Sequence, residues 1–134
     1  MASSAVRTYT GGCHCGRVRF EVTTDLTRAS ECNCSICSRK GYLHHQVAPE
    51  RFRLLAGADA LATYQFGTMT ARHQFCRQCG VASFYRPRAH PDWYDVNVRC
   101  LDGVDRAAMK IERFDGRSWA ARADAPYTGP WREP

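Results

Sequence analysis

The sequence of 134 residues has no long apolar run and no apolar leader. Its hydrophobic stretches extend for only a few residues, whereas a helix needs about 20 apolar residues to cross a bilayer. The first segment, Met1–Arg7, lacks the apolar core that a signal peptide carries. We therefore expect a cytoplasmic protein without a membrane partner.

Internal repeats, low-complexity segments and linkers are also missing from the sequence. A length of 134 residues fits one compact domain, and 44% hydrophobic with 24% charged residues is ordinary for a globular protein. Only residues 125–134 look like an irregular tail. We predict a single domain over residues 1–134.

No segment sustains a helical period over three turns. Residues 17–23 alternate charged and apolar side chains with the period of two that is typical of a half-buried strand. Later short segments are rich in aromatic or β-branched residues and are separated by Gly or Pro turns, namely 52–55, 62–66, 71–75, 81–85 and 94–99. Single helical turns are expected at 35–39 and 104–108. The pattern predicts an all-β meander with little helix.

Lysine is scarce, since seventeen of the nineteen basic residues are arginine. The formal net charge of +6 suggests nucleic-acid binding, because a basic surface attracts phosphate. However, the basic residues are spread along the chain, and seven metal-bound thiolates with two zinc ions would lower the charge to about +3. We therefore expect no nucleic-acid partner.

Cysteine is abundant and clustered. Seven of the eight cysteines fall into three groups, and only Cys100 stands alone. The groups are Cys13 with Cys15, then Cys32 with Cys34 and Cys37, then Cys76 with Cys79. Pairs at this spacing let one turn of backbone deliver two sulfurs to one zinc ion, whereas they are cramped for structural disulfides. The spacing favours metal binding over a disulfide scaffold.

Seven sulfurs divide most simply into a closed site of four and an open site of three. Gly80 allows the left-handed turn of a zinc knuckle after the third group, and the first group could supply the partner pair. Cys32, Cys34 and Cys37, here called the triad, would then hold a second zinc ion with an open coordination position. In the alternative, a zinc-ribbon pairing joins Cys34 and Cys37 to the third group.

The cysteine groups and their surroundings resemble the family of glutathione-dependent formaldehyde-activating enzymes, whose domain is shared with centromere protein V. The resemblance covers about residues 9–119 and rests on residues 11–16, 32–37, 63–66, 75–80, 83–85 and 114–119. It implies small antiparallel sheets around zinc, in the β-tent arrangement. It also implies a structural zinc site in the tetrad, which comprises Cys13, Cys15, Cys76 and Cys79, and a catalytic zinc site in the triad.

Residues 32–85 look closer to the centromere-protein-V branch, but the long basic extension of that protein is missing here. Microtubule or chromatin binding is therefore not carried over.

The chemistry of the triad also favours a thiol substrate. Zinc held by three thiolates has a net charge of about −1, so it suits a soft sulfur ligand better than hydroxide formation. A bound thiol such as glutathione could lose its proton and attack a small aldehyde, and the reverse reaction is carbon-sulfur lyase chemistry. We predict a zinc-dependent enzyme resembling S-(hydroxymethyl)glutathione synthase. A thiol carrier without turnover and a zinc-stabilised interaction domain are the alternatives.

Protonation of the adduct requires an acid, and His44 or His45 could supply it. The alternation of a strand predicts that one of the two faces inward and the other faces water. Arg39 and Lys40 are the nearest candidates for binding the glutathione carboxylates, although solvated charges after a metal loop explain them better. The remaining histidines, Cys100 and three aromatic residues are expected to be structural or exposed, namely His14, His73, His90, Tyr42, Phe84 and Trp93.

Overall fold

A computed structural model of the protein describes residues 6–120 and 126–131, in which strands are the main regular structure. The ten strands in this part of the chain are β1 Val6–Gly12, β2 Arg19–Asp25, β3 Arg28–Cys32, β4 His44–Val47, β5 Phe52–Ala56, β6 Leu61–Tyr64, β7 His73–Cys76, β8 Phe84–Tyr85, β9 Tyr94–Asn97 and β10 Lys110–Phe114. Two short helices, α1 Cys37–Lys40 and α2 Gly116–Ala120, accompany 3₁₀ turns at Pro49–Arg51, Ala58–Ala60, Val98–Cys100 and Arg106–Ala108. The all-β prediction with little helix is confirmed.

The strands form three small sheets, with the orders β1-β2-β5, β10-β3-β4-β9-β8 and β6-β7. Every strand pair is antiparallel except β3 with β10, which run parallel. A simple meander would pair consecutive strands. Instead, the chain leaves β9 through two 3₁₀ turns and returns at the far edge of the five-stranded sheet.

All six predicted strands overlap observed ones, with changed boundaries. The predicted segment 81–85 contains only the two-residue strand β8. The predicted segment 94–99 ends at Asn97, because the Asn97 side chain accepts a hydrogen bond from the Arg99 amide (3.1 Å) and begins a 3₁₀ turn. The sequence pattern did not indicate β1, β3, β10 or α2.

The hydrophobic core lies between the β1-β2-β5 sheet and the five-stranded sheet. Phe20 of β2, fully buried, stacks on Phe52 of β5 with ring centroids 5.2 Å apart. Phe84 of β8 meets the Phe20 ring edge-on at 5.7 Å. These three rings join the two sheets, and the buried aliphatic side chains Val18, Val22 and Val96 fill the space around them.

The register of the five-stranded sheet shows which residues lie on each of its two faces. His45, Val96 and Phe84 are aligned on neighbouring strands and share the face that carries Phe84 into the core. Adjacent residues in a strand point to opposite faces. Gln46, Asp95 and Tyr85 are therefore aligned on the other face, and this face carries the site described below.

No helix in residues 6–120 and 126–131 is long and apolar enough to cross a membrane. Of the predicted irregular tail over 125–134, residues 126–131 are described and contain neither helix nor strand, while the rest lies outside the described residues.

Candidate active site and metal centres

The tetrad brings together cysteines from two distant parts of the chain. Its four Sγ atoms all lie within 4.8 Å of one another. The Sγ of Cys15 lies 3.7 Å from that of Cys13 and 3.7 Å from that of Cys76. Zinc–sulfur bonds of 2.3 Å at tetrahedral angles place sulfurs about 3.8 Å apart. The donor type, number and spacing therefore fit a zinc ion.

The backbone around the tetrad is that of a zinc knuckle. After β7 the chain turns so that the Gly80 amide donates to the Cys76 carbonyl (2.7 Å) and the Cys76 amide donates to the Val81 carbonyl (3.0 Å). Gly80 has a φ of 80°, in the left-handed region that the sequence predicted for it. The Val18 amide donates a hydrogen bond to the Cys13 sulfur (3.3 Å). Such a bond stabilises a thiolate.

The triad forms a second group, whose three Sγ atoms also lie within 4.8 Å of one another. Cys32 ends β3, and Cys37 begins α1. The Cys37 amide lies 3.4 Å from the Cys34 sulfur, and α1 ends where the Gly41 amide donates to the Cys37 carbonyl (3.1 Å). The grouping separates Cys34 and Cys37 from Cys76 and Cys79, unlike the zinc-ribbon alternative.

The segment before α2 lies directly against the triad. A Cβ atom on Gly116 would lie 2.2 Å from the Cys32 sulfur, so only glycine fits there. The Asn33 side chain fixes this contact, because it donates to Asp115 Oδ1 (3.0 Å) and accepts from the Arg117 amide (2.8 Å). Our sequence reasoning assigned no role to Gly116, although residues 114–119 belong to the motifs that carry the family resemblance.

The three thiols of the triad cannot all ionise without a cation. A hydrogen bond with the Cys34 thiol raises the pKa of Cys32 to about 11. Contacts with Cys32 and Cys34, together with burial, raise the pKa of Cys37 further. The same contacts lower the pKa of Cys34 to about 2, because the other two thiols donate to its sulfur. A bound metal cation would neutralise this concentration of charge, so the triad also fits a metal.

A cavity of about 460 Å³ opens beside the triad. One wall consists of the triad with Ser30, His44, Gln46 and Tyr85 from the five-stranded sheet. The β6–β7 hairpin contributes Phe66, Gly67, Thr68, Ala71 and His73. The other lining residues are Ile36, Pro87, Arg88, Ala89, Phe114, Gly116, Trp119, Tyr127, Pro130 and Trp131. Most of these side chains are apolar. The cavity combines one metal-binding wall with a largely aromatic enclosure.

His44 is the titratable group that β4 places in this cavity. Its Nδ1 lies 2.8 Å from Asp95 Oδ2, and both side chains are buried, with 5% and 0% exposed. Because a carboxylate only accepts hydrogen bonds, Nδ1 carries the proton of the neutral ring and Nε2 is left with a lone pair. Within the described residues, Nε2 is buried without a hydrogen-bond partner.

The sheet register explains how His44 reaches the triad. Ser30 of β3 is aligned with His44 of β4, and Cys32 lies two residues further along the same face of β3. Such diagonal neighbours are separated by about 7–8 Å at Cα. Asp95 is a diagonal neighbour of His44 on the other side, since Asp95 is aligned with Gln46.

The prediction that one of His44 and His45 faces water is wrong, because β4 is an inner strand covered on both faces. His45 is 3% exposed, and its Nδ1 donates to the Arg28 carbonyl (2.9 Å) while its Nε2 accepts from the Thr24 hydroxyl (2.9 Å). Burial lowers the pKa of His45. His45 is therefore a neutral structural residue, whereas His44 belongs to the cavity.

His73 also lines the cavity, a position that we did not predict. It is 6% exposed and stacks on Tyr85 with ring centroids 4.9 Å apart. Burial and the charge of Lys40 lower the pKa of His73 to about 4. The ring is therefore neutral at physiological pH and extends the aromatic lining.

The other candidates lie outside the cavity. Lys40 is half-buried with its ammonium 5.4 Å from the ring centres of Tyr42 and Tyr85, and burial lowers the pKa of Lys40. Arg39 is exposed and donates to the Ser35 carbonyl (2.9 Å). His14 is exposed, His90 stacks on Trp93, and Tyr42 and Phe84 are buried. Cys100 is half-buried and belongs to neither cysteine group. Burial raises the pKa of Cys100 to about 11.

The fold and these two cysteine sites define a small β protein with two cysteine clusters that could each hold a metal ion. A family model described as glutathione-dependent formaldehyde-activating enzyme matches residues 8–117, and the chain belongs to this family. The chain is also similar to a Rhodobacter sphaeroides protein of known crystal structure, with 39% sequence identity and a TM-score of 0.72. That match covers 78% of this chain and 99% of the other. The resemblance stated from the sequence is confirmed.

Proposed function

We propose that the protein catalyses the reversible addition of a thiol to an aldehyde, with glutathione as the thiol and formaldehyde as the simplest aldehyde. The reaction forms a carbon-sulfur bond in one direction and cleaves it in the other, as a lyase does. The observation that supports this proposal most directly is that the triad and His44, which is hydrogen-bonded to buried Asp95, line the same cavity.

The two cysteine sites have different roles in this proposal. The tetrad holds a structural zinc ion, because it joins segments from distant parts of the chain. The triad would hold the catalytic zinc ion, which would supply an open position for an external thiol and lower the pKa of that thiol. The triad offers only three sulfurs, so a fourth ligand has room to approach from the cavity.

His44 moves the proton. Its Nε2 lone pair accepts the thiol proton while the sulfur attacks the carbonyl carbon and the C=O π pair moves onto oxygen. The Nε2–H then donates this proton to the new oxygen, giving a hemithioacetal hydroxyl. Asp95 orients the ring through Nδ1 and stabilises the imidazolium between the two transfers. The reverse reaction uses the same groups in the opposite order.

The experiment must separate catalysis from the spontaneous reaction. NMR exchange spectroscopy measures how fast formaldehyde interconverts with its glutathione adduct, with and without catalytic amounts of protein. We expect the protein to accelerate exchange and His44→Gln to reduce the acceleration by about 10²- to 10⁴-fold. His14→Gln is the control, since the exposed His14 lies outside the cavity lining.

Three outcomes separate the function classes. Acceleration that depends on His44 supports the enzyme. Saturable glutathione binding without acceleration would identify a thiol carrier. An absence of both would leave a zinc-stabilised interaction domain. The cytoplasmic location and the absence of nucleic-acid and membrane partners stay predictions of the sequence.

A further inference from the structure

We propose that the aldehyde substrate carries a planar aromatic substituent, which binds in the part of the cavity walled by Phe114, Trp119 and Tyr127. This part of the cavity is called the aromatic compartment below. The inference rests on the proposed function for the reaction but names the substrate class from separate observations. These are the packing of the wall, the size of the cavity and the scarcity of charge inside it.

The wall of the aromatic compartment is built from rings that already pack together. The ring centroids of Phe114 and Trp119 are 6.0 Å apart, those of Phe114 and Tyr127 are 5.5 Å apart, and those of Trp119 and Tyr127 are 5.4 Å apart. The planes are inclined to one another by 53° to 68°, as aromatic clusters prefer. An inserted ring can meet such a cluster by stacking or edge-on contact.

Trp131 fixes the segment that carries Tyr127 onto the sheet. Its side chain is 5% exposed, and its indole N–H donates to the Ser30 hydroxyl (2.9 Å). The Arg28 guanidinium lies 4.5 Å above the ring, and His90 Nε2 donates to the Trp131 carbonyl (2.8 Å). The Trp131 amide in turn donates to the Tyr127 hydroxyl (3.1 Å). The segment that looked like a tail in the sequence is thus an ordered wall of the cavity.

The cavity is far larger than formaldehyde requires. Its volume is about 460 Å³. An apolar cavity of about 150 Å³ in a protein interior is already enough to hold benzene. The available space therefore fits an aromatic aldehyde together with the cysteinyl part of the attacking thiol.

The charged ends of glutathione do not suit the aromatic compartment. Among the described lining residues, Arg88 is the only one with a permanent charge, and its guanidinium lies 4.0 Å from the centre of the Trp119 ring. Burying the two carboxylates and the ammonium of glutathione there would be costly. A separate groove lined by Arg39 and Lys40 borders the cavity and shares Ile36 and Phe66 with it. The thiol partner is thus placed towards α1, and the compartment is left for the aldehyde.

Two buried acceptor atoms suit the hydroxyl of the hemithioacetal product, whereas the aldehyde oxygen is itself an acceptor. Gln46 lies two residues after His44 on the same face of β4, and its Oε1, like His44 Nε2, is buried without a hydrogen-bond partner in the part of the chain that is described. These two atoms and the aromatic compartment line the same cavity, so one bound molecule can contact both. The hydroxyl that forms after protonation by His44 then supplies a donor for Gln46 Oε1.

Part of the aromatic wall lies beyond the residues that the family model matches. The match ends at residue 117, whereas Trp119, Tyr127 and Trp131 follow it. The proposed specificity therefore does not follow from the family match.

The test compares glutathione addition to benzaldehyde and to formaldehyde by the same NMR exchange measurement. We expect the unaltered protein to have a higher kcat/KM for benzaldehyde than for formaldehyde. Trp119→Ala should lower the benzaldehyde-to-formaldehyde ratio of kcat/KM at least tenfold. Ala89→Phe, which adds a ring at another lining position of the cavity, should lower the same ratio. Leu55→Ala, which removes an exposed side chain from the other large sheet, should leave the ratio unchanged.

Binding of an unreactive probe separates this inference from the proposed function. Benzyl alcohol should quench the tryptophan fluorescence of the unaltered protein saturably, and Trp119→Ala should weaken this binding at least fivefold. Benzyl alcohol binding without acceleration of either aldehyde would overturn the reaction and keep the aromatic site. Acceleration of formaldehyde with no benzyl alcohol binding, or with a ratio that neither cavity variant changes, would overturn the aromatic site alone.

Discussion

The sulfurs of Cys15 and Cys76 lie 3.7 Å apart although 61 positions separate the two residues in the chain. A metal bound between them closes a long loop and ties the β1-β2-β5 sheet to the β6-β7 sheet. Closing a long loop costs more chain entropy than closing a short one. The metal–ligand bonds would offset this entropy cost. The tetrad is thus positioned to stabilise the whole fold.

The first prediction concerns loss of one tetrad ligand. Structural zinc sites can supply on the order of 10 kcal/mol of folding free energy, which equals the whole stability of many domains. We expect Cys79→Ser to be largely unfolded, as measured by circular dichroism and by its zinc content. A folded Cys79→Ser protein with two zinc ions per chain would contradict the structural role of the tetrad.

The second prediction concerns the triad, whose ligands all come from residues 32–37. A metal bound there closes little chain, so its loss should cost activity much more than stability. We expect Cys34→Ser to remain folded, to retain one zinc ion of two and to lose glutathione binding measured by calorimetry. Cys100→Ser, the matched control, should keep both ions and the binding. Full activity in Cys34→Ser would refute the catalytic role of the triad.

The third prediction tests how Asp95 orients His44. An asparagine at position 95 has the same shape but can donate from its amide nitrogen, so it would favour the tautomer that protonates Nε2. We expect Asp95→Asn to reduce the protein-dependent exchange rate by about 10²- to 10⁴-fold. Nitrogen-15 NMR of the His44 ring should show the proton moving from Nδ1 to Nε2. A large rate loss without a change of tautomer would point to a purely structural role for Asp95.

Local patterns made the two cysteine clusters predictable. Cys76, Cys79 and Gly80 predict a knuckle turn, because the two sulfurs and the left-handed glycine lie within one short segment. The strand β2 could likewise be predicted from its alternating side chains. Both features depend on residues that are close together in the sequence.

Non-local features could not be predicted in this way. Asp95 looks like a solvent-facing residue of an alternating strand, and only the pairing of β9 with β4 shows that it meets His44. The parallel pairing of β3 with β10 depends on a chain crossing that no local pattern encodes. The placement of Trp131 against Ser30 is another contact between distant residues, so residues 126–131 gave no sign of lining a cavity.

The fourth prediction concerns pH and His45. Burial lowers the pKa of His45 in the folded protein, whereas the unfolded chain has the ordinary value of about 6.5. As the pH falls through about 6.5, the unfolded state binds a proton that the folded state does not, so the free energy of unfolding decreases. We expect this free energy, from urea titrations, to fall more between pH 7.5 and 5.5 in the unaltered protein than in His45→Gln.

Acid also releases metal from thiolate sites, since protons compete for the sulfurs. This contribution is common to both proteins, so the difference between their pH slopes isolates His45. Equal slopes for His45→Gln and the unaltered protein would show that His45 does not cause the acid sensitivity.

The fifth prediction tests the contact between Gly116 and the triad. An alanine Cβ at position 116 would lie 2.2 Å from the Cys32 sulfur, so the sulfur or the α2 segment must move and the three-sulfur geometry is lost. We expect Gly116→Ala to bind one cobalt ion per chain in place of two, measured by the intensity of sulfur-to-cobalt charge-transfer bands. The tetrad lies elsewhere in the chain, so the variant should remain folded. Arg117→Ala is the matched control, because it keeps the backbone amide that donates to Asn33 and should bind two cobalt ions. Two cobalt ions with unchanged spectra in Gly116→Ala would show that the triad tolerates the added methyl group and that the close approach of this segment does not shape the site.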